Sequence, residues 1–282
     1  MANFTLISPT GARLPLLNSD YFKLINISGQ TYAQNALSSS TLSGADGDLI
    51  NNAVTNPRTL TLDLYIDGNI ELAKRHILTY VKPKQEHSIE WVQEKRTMKI
   101  SGVCETIDMA RWQQGIVMQI SFHCSQPYWE DVAPIVREVS EIISSHYFTT
   151  EPDDMLYFYG DGIVMGEYNF TRTQTFYNTG DVAVGLKIVV NALKTVTNPI
   201  IYASANEFIG ANVTLSAGDT LTITTSRGEK DIKKGDVSVL NKLMSGSTWL
   251  QLDTGANTFT INSDDEDTDN MYFEIIYNQR YV

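Results

Sequence analysis

Disulfide staples, membrane spans and catalytic signatures are all missing from this chain, and each absence narrows what it can be. Its two cysteines, Cys104 and Cys124, both sit in strand-like runs. Free cysteine in such a run behaves as a small core residue, so a disulfide scaffold is excluded and folding in a reducing cytosol is expected. No apolar run reaches the length of a membrane span, so no membrane insertion is expected. The opening MANFTLISPTG has neither a basic region nor an apolar signal stretch, which predicts cytosolic synthesis without Sec export. There is no Gly-x-Ser-x-Gly elbow, no Walker loop and no dinucleotide-type glycine fingerprint. The four histidines, His76, His87, His123 and His146, have no partner at ligand spacing. The reading is of a non-enzyme with no catalytic, cofactor-binding or metal-binding set. A glycosidase pair of carboxylates, defined only by separation in space, stays open.

Positive charge is scarce in one half. Residues 1–130 hold 11 Lys+Arg against 12 Asp+Glu, a net −1, whereas residues 131–282 hold 10 against 21, a net −11. An acidic surface repels phosphates, which argues against nucleic-acid binding by neutralisation. Proline is sparse at 8 residues, glycine reaches 18, and apolar residues make up 42% of the chain, enough for a substantial core. Recurring β-branched and aromatic residues lean the composition toward sheet.

The strongest patterns lie in the first half. In 58–67, Leu60, Leu62, Leu64 and Ile66 alternate with Thr59, Thr61, Asp63 and Tyr65, a strand with one buried face. Ile70, Ala73, Ile77 and Tyr80 then recur at helical spacing, with Asn69 as N-cap, Glu71 in the first turn and Pro83 as stop. Strands are also predicted at 4–8, 21–28, 88–92, 97–107 and 116–124, with a bulge at Gly102 to explain a phase switch. Residues 29–56 are small and polar, interrupted by Leu37, Leu42, Leu49 and Ile50. Such a stretch is either a solvated loop or an extended arm that orders against a neighbouring subunit, which makes those four residues oligomer-contact candidates.

The strand at 116–124 ends in Pro127, Tyr128 and Trp129, where the charge balance also breaks. Those three are domain-seam candidates, because large aromatics are costly to leave bare. An α+β domain with one helix on a sheet is expected over 1–130, and a second domain over 131–282. That second half reads as short strands at 184–190, 197–203, 213–215, 220–225, 249–252, 258–262 and 272–277, separated by Gly, Asn and Asp clusters. That pattern predicts an antiparallel β-sandwich of jelly-roll type, with 229–248 as a charged loop. Asp265, Asp267 and Asp269 have the first spacings of a calcium loop, but Asn270 and Ile276 stand where the glycine and the bidentate carboxylate belong. A solvated hairpin loop and a weak cation site both remain open. Tyr157, Phe158, Tyr159, Trp249 and Tyr272 fit either a core or a sugar groove.

The order of these features resembles a known family. Gly44-Ala-Asp46-Gly47, Arg58 opening its strand, the helix before Pro83, Arg96, Gly102 and Phe122-x-Cys124-x-x-Pro127-Tyr128-Trp129 are similar to the N-terminal layout of the distal tail protein (Dit) of siphophages. Tyr177-Asn178-x-Gly180, Asn198-Pro199-Ile200, Ala217-Gly218-Asp219 and Leu252-x-x-Gly255-x-Asn257-x-Phe259 resemble its C-terminal sandwich. The resemblance implies a structural hub at the phage tail tip, a hexameric ring joining the tail tube to the baseplate or receptor-binding apparatus. It implies a galectin-like outer domain, an arm fastening neighbours, and partners among tail tube and receptor-binding proteins. DNA would pass the lumen without specific binding, and the protein would reside in the virion after assembly in the host cytoplasm. The alternative is a carbohydrate-binding module aiding adsorption to the host surface.

Overall fold

The computed structural model describes residues 3–282 except 18, 45, 67, 94–95, 113–114, 139–140, 144–166, 170–172 and 266–269. His146, Tyr157, Phe158, Tyr159, Asp267 and Asp269 lie outside the described residues. Two units divide the chain: Met1–Ala133 with Arg280–Val282, and Pro134–Gln279.

The first unit runs β1 (Asn3–Ile7), β2 (Arg13–Pro15), β3 (Lys23–Ser28), β4 (Asn35–Thr41), β5 (Asp48–Thr55), β6 (Arg58–Ile66), α1 (Ile70–Tyr80), β7 (Glu86–Gln93), β8 (Arg96–Trp112), β9 (Gly115–Cys124) and β10 (Trp129–Asp131). Its main sheet has the order β2-β1-β7-β8-β9-β6-β3, with β10 and the terminal strand Arg280–Tyr281 appended. Every neighbour on that path is antiparallel. The alternation in β6 buries Leu60, Leu62, Leu64 and Ile66, and the matching phase of β9 buries Met118, Ile120, Phe122 and Cys124. α1 lays Ala73 and Ile77 on the same core. Asn69 Oδ1 accepts from the Leu72 amide at 3.1 Å, satisfying one orphan donor of the first turn.

The phase switch in β8 lies beyond the expected position. The buried phase continues from Met98 and Ile100 to Gly102, and the register shift falls between Cys104 and Thr106, leaving Glu105 as the extra residue. Gly102 is needed for a different reason. A Cβ there would stand 2.7 Å from Cys124 Sγ and 2.9 Å from the His123 carbonyl, so β9 approaches too closely for any side chain.

In the second unit a six-stranded antiparallel sheet carries Ile188, Val190, Leu221, Ile223, Ile232, Phe273 and Ile275 inward. A four-stranded sheet of 173–178, 255–262, 200–202 and 208–210 contributes Phe176, Phe259, Ile261, Ile201 and Ile209 to the same core. The mostly β expectation is borne out, as two antiparallel sheets share one apolar interior. The stretch 229–248 is more ordered than its composition suggested. It holds strands Asp231–Lys234 and Val237–Ser238 and a 3-10 turn at Leu240–Lys242. Its strands alternate too few apolar residues to register as strands in sequence.

Turn-forming side chains explain several motif residues of this unit. Buried Asn178 donates to the Val182 and Leu252 carbonyls at 2.9 and 3.0 Å and accepts from the Gly180 amide at 2.9 Å. Asn257 similarly closes the turn at Asp253, and Asp219 Oδ2 accepts from the Ser216 amide at 2.8 Å. In the acidic loop, Asp265 accepts from the Thr197 amide and Asp264 from Asn198 Nδ2. Those two carboxylates hold the turn that leads into Pro199, and no metal-holding cluster occurs among the described residues.

His87 gives the first unit a pH dependence. It is buried, its Nε2 accepts from the Lys82 amide at 2.8 Å, and its ring meets Phe122 edge-on. Burial lowers its pKa, against the opposing pull of backbone at Gln85 and Tyr80. A depressed histidine contributes stability that is full above the unfolded value of about 6.5 and lost as pH falls through the folded value. Protonation would also set Nε2–H against the Lys82 N–H. Thermal melts should show the first unit weakening from pH 7.5 to pH 5, and His87→Gln, which keeps an acceptor, should remove that part of the slope.

Candidate functional site

Residues 29–56 form neither a coil nor part of the main sheet. Among the described residues β4 and β5 pair only with each other, from Asn35↔Thr55 to Thr41↔Asp48, with one register shift that leaves Asn51 extra. Every residue of β4 is exposed, as is β5 up to Val54. Because no face is buried, selection for alternating polarity is absent, and the sequence shows no period.

The base of this arm is held by buried groups. Gly29, at φ +81°, brings the chain so close to β6 that a Cβ would sit 2.1 Å from the Thr59 carbonyl. The next carbonyl, of Gln30, accepts from Arg58 Nη1 at 3.0 Å and from Trp129 Nε1 at 2.9 Å. On the other leg, Tyr128 donates its hydroxyl to Thr55 Oγ1 at 3.2 Å, and Thr55 donates to Asn35 Oδ1 at 3.0 Å. The legs join where the Asn56 amide donates to the Gln34 carbonyl at 2.8 Å. At the tip, Gly44 and Gly47 take φ +83° and +92°, the left-handed conformation that a tight reversal requires.

The four oligomer-contact candidates are brought together here. Leu37 and Ile50 share one face of the hairpin through the pairs Leu37↔Ala53 and Ser39↔Ile50, while Leu49 lies on the other with Ala36 and Val54. Leu42 follows β4 directly. Leu37, Leu42, Leu49 and Ile50 are 61%, 54%, 54% and 57% exposed, and Val54, missed in the sequence reading, is 51% exposed. A lone two-stranded hairpin is marginal in water, and one with bare aliphatic side chains on both faces is suited to being covered.

Pro127 and Trp129 are buried and Tyr128 half-buried, all within the first unit. Trp129 is fully enclosed, 5.3 Å from Trp91 in an edge-on arrangement. The ladder that Pro127 interrupts resumes along β8 at Glu130↔Lys99. The buried position of Arg58 was accessible from sequence. It occupies the buried phase of β6, where a charge needs a partner. Burial lowers the Arg58 pKa and lifts the Cys124 thiol beside it to about 11, so Cys124 is an inert core thiol. In the second unit, Trp249 packs against the core with Lys230 Nζ 5.4 Å from its ring.

Residues 179–281 match the family described as siphovirus-type tail component, C-terminal domain. No curated protein matches the chain. Among solved structures, the chain is similar to the Dit protein (gp 19.1) of phage SPP1, described as a paradigm of hub adsorption apparatus in Gram-positive infecting phages. There the identity is 13%, the TM-score 0.71, and 99% of each chain is covered. It is also similar to a chain of the phage P2 baseplate in its activated conformation with Ca, at 10% identity, TM-score 0.52 and 98% of each chain. The corresponding structure with Sr gives 11%, 0.50 and 98%. The family resemblance read from the sequence is borne out: residues 179–281 match the model of the family's C-terminal domain, and the whole chain has the fold of the SPP1 Dit protein.

Removing the anchor groups should separate two effects. Trp129→Ala should cost the first unit about 3–5 kcal/mol, as for other enclosed aromatics, and lower the first unit's melting transition without moving that of the second. Tyr128→Phe should cost only about 1 kcal/mol, but amides of 30–56 should exchange faster in hydrogen-exchange measurements.

Proposed function

We propose that this protein is a structural hub of a phage tail tip, a hexameric ring that joins the tail tube to the baseplate or receptor-binding apparatus. The observation that carries the reading is the anchored arm, a preformed hairpin with aliphatic side chains bare on both faces. Hydrogen bonds from the enclosed Arg58 and Trp129 side chains fix its base, so it projects in a defined direction. A projecting element that grips a copy of the same chain makes a heterologous interface, which yields a closed ring when the rotation closes. Prior ordering lowers the entropy lost on docking, so a modest apolar contact suffices.

The partners in this reading are copies of the chain, the tail tube protein above, and tail-associated or receptor-binding proteins reached through the outer sandwich. DNA crosses the lumen without specific binding, in keeping with a net charge of −12. Residence is in the virion tail tip, after assembly in the host cytoplasm.

The test exploits the closed base of the arm. Replacing Asn35–Thr55 by a short Gly-Ser link between Gln34 and Asn56 should leave both units folded, each with a cooperative melt, the first lowered only by loss of the Tyr128–Thr55 hydrogen bond. Native mass spectrometry and negative-stain images should show six-fold rings for the parent and monomers for the variant. Rings that survive the excision would refute the role of the arm, and a parent chain with no ring in any assembled tail tip would refute the hub itself.

A further inference from the structure

The four-stranded sheet of the second unit differs in composition from the chain around it. Its strands, Thr173–Asn178, Gly255–Asn262, Ile200–Tyr202 and Phe208–Gly210, hold no Lys, Arg, Asp, Glu or His. Residues 131–282 as a whole hold 10 Lys+Arg and 21 Asp+Glu. One face of the sheet gives Phe176, Phe259, Ile201 and Ile209 to the core, so the alternate residues make the other face. Charged residues ordinarily populate exposed positions, yet this outer face is wholly neutral.

The register places its side chains. One row reads Thr173, Thr260, Tyr202 and Phe208 across the four strands. The next reads Thr175 and Thr258, and the third Tyr177 and Ala256. Both threonine pairs, Thr173 with Thr260 and Thr175 with Thr258, share hydroxyl contacts of 2.9 Å. The Tyr202 and Phe208 rings lie 5.7 Å apart at 42°. Tyr177 is 63% exposed, and its carbonyl accepts from the Tyr277 hydroxyl at 3.0 Å. Tyr177 and Tyr202 stand two strands apart laterally and four residues apart along the sheet, about 16 Å, with Thr258 midway. A turn walls the Phe208 side. The Met244 amide donates to the Gly210 carbonyl at 3.0 Å, and the Thr248 amide to the Phe208 carbonyl at 2.7 Å. Gly210 makes room for that turn, since a Cβ there would stand 2.7 Å from Met244 Sδ.

We infer that this face binds an uncharged polysaccharide, laid along the diagonal from Tyr177 past Thr258 to the Tyr202–Phe208 pair. A sugar ring is apolar on the face that carries its axial hydrogens and polar around its rim. Aromatic rings meet the first need, and threonine hydroxyls, each able to donate and accept, meet the second. Cross-strand threonine pairs stabilise any sheet; what sets this face apart is that no charge accompanies them. The charge balance selects against other ligands. An acidic domain repels polymers that carry phosphate or uronate, and a basic ligand finds no carboxylate on this face. A shallow face with few polar groups binds weakly, with a Kd on the order of 1 mM for one site, so useful attachment needs several copies acting together. The face is complete in one chain, so the inference is independent of the ring reading.

Saturation-transfer NMR on the full chain tests it. The probes are neutral hexasaccharides of glucose, galactose, mannose and N-acetylglucosamine, with hexagalacturonate as the anionic control. At least one neutral probe should receive saturation, and hexagalacturonate should not. Tyr177→Ala and Tyr202→Ala should each weaken that binding about tenfold. Thr258→Val, which keeps the side-chain shape, should weaken it about threefold. Lys187→Ala, at an exposed position of the six-stranded sheet, should leave it unchanged. The exposure of Tyr177 and Thr258 keeps both variants foldable, which a melt of the second unit checks. Transfer to none of the neutral probes, equal transfer to hexagalacturonate, or unchanged affinity in the Tyr177 and Thr258 variants would overturn the inference. Exchange of 173–178 and 255–262 that slows on ring formation would assign the face to a second copy and overturn it too. Absence of rings would overturn the hub reading alone.

Discussion

One backbone carbonyl, that of Gln30, accepts hydrogen bonds from an arginine and a tryptophan that are themselves enclosed in the core. Everything distinctive about the first unit depends on that junction. Arg58 is 2% exposed, and a guanidinium in such a place is tolerable only when it donates to something fixed. Trp129 could bury its ring anywhere apolar, but its indole N–H also needs an acceptor. Arg58 Nη1 and the Trp129 indole N–H both find their acceptor where the chain leaves the sheet at Gly29, so burying the two side chains and launching the arm are coupled. Deforming the base of the arm would strand a buried charge and a buried donor together. That coupling makes the arm a directed projection of a rigid sheet.

The same logic explains why some elements were legible in the sequence and others were not. β6, β9 and α1 bury one face, and burial of one face writes a period into the residues: Leu60, Leu62, Leu64 and Ile66, or Ala73 and Ile77. The arm buries neither face, so its strands carried no period, although the lone aliphatics Leu37, Leu42, Leu49 and Ile50 marked where its exposed apolar side chains lie. Gly102 was visible as an interruption, but its cause was three-dimensional, the approach of Cys124 and His123 from the neighbouring strand. Arg58 was legible as a motif member and Trp129 as a seam candidate, but not their shared partner, a main-chain carbonyl that no side-chain pattern reveals.

In the second unit the motif residues are mostly structural. Asn178, Asn257 and Asp219 spend their polar atoms on backbone groups in turns, and Asp264 and Asp265 do the same around Thr197 and Asn198. Such residues fix loop shape, which leaves the apolar interior free to vary in detail as long as its volume is filled. This accounts for a domain recognisable by turn chemistry while whole-chain identity to the SPP1 Dit structure is only 13%.

The chain's last residues sharpen the picture of its construction. Arg280 and Tyr281 pair with β10, Arg280 Nε donates to Glu130 at 2.7 Å, Tyr281 donates its hydroxyl to Asp131 at 3.0 Å, and Arg96 lies 3.9 Å over the Tyr281 ring. The first unit is therefore discontinuous in sequence, with Arg280–Val282 belonging to it. The second unit is an insertion that enters after Ala133 and leaves before Arg280. Two covalent links resist separation of the units better than one, because each shortens the loop the other must close.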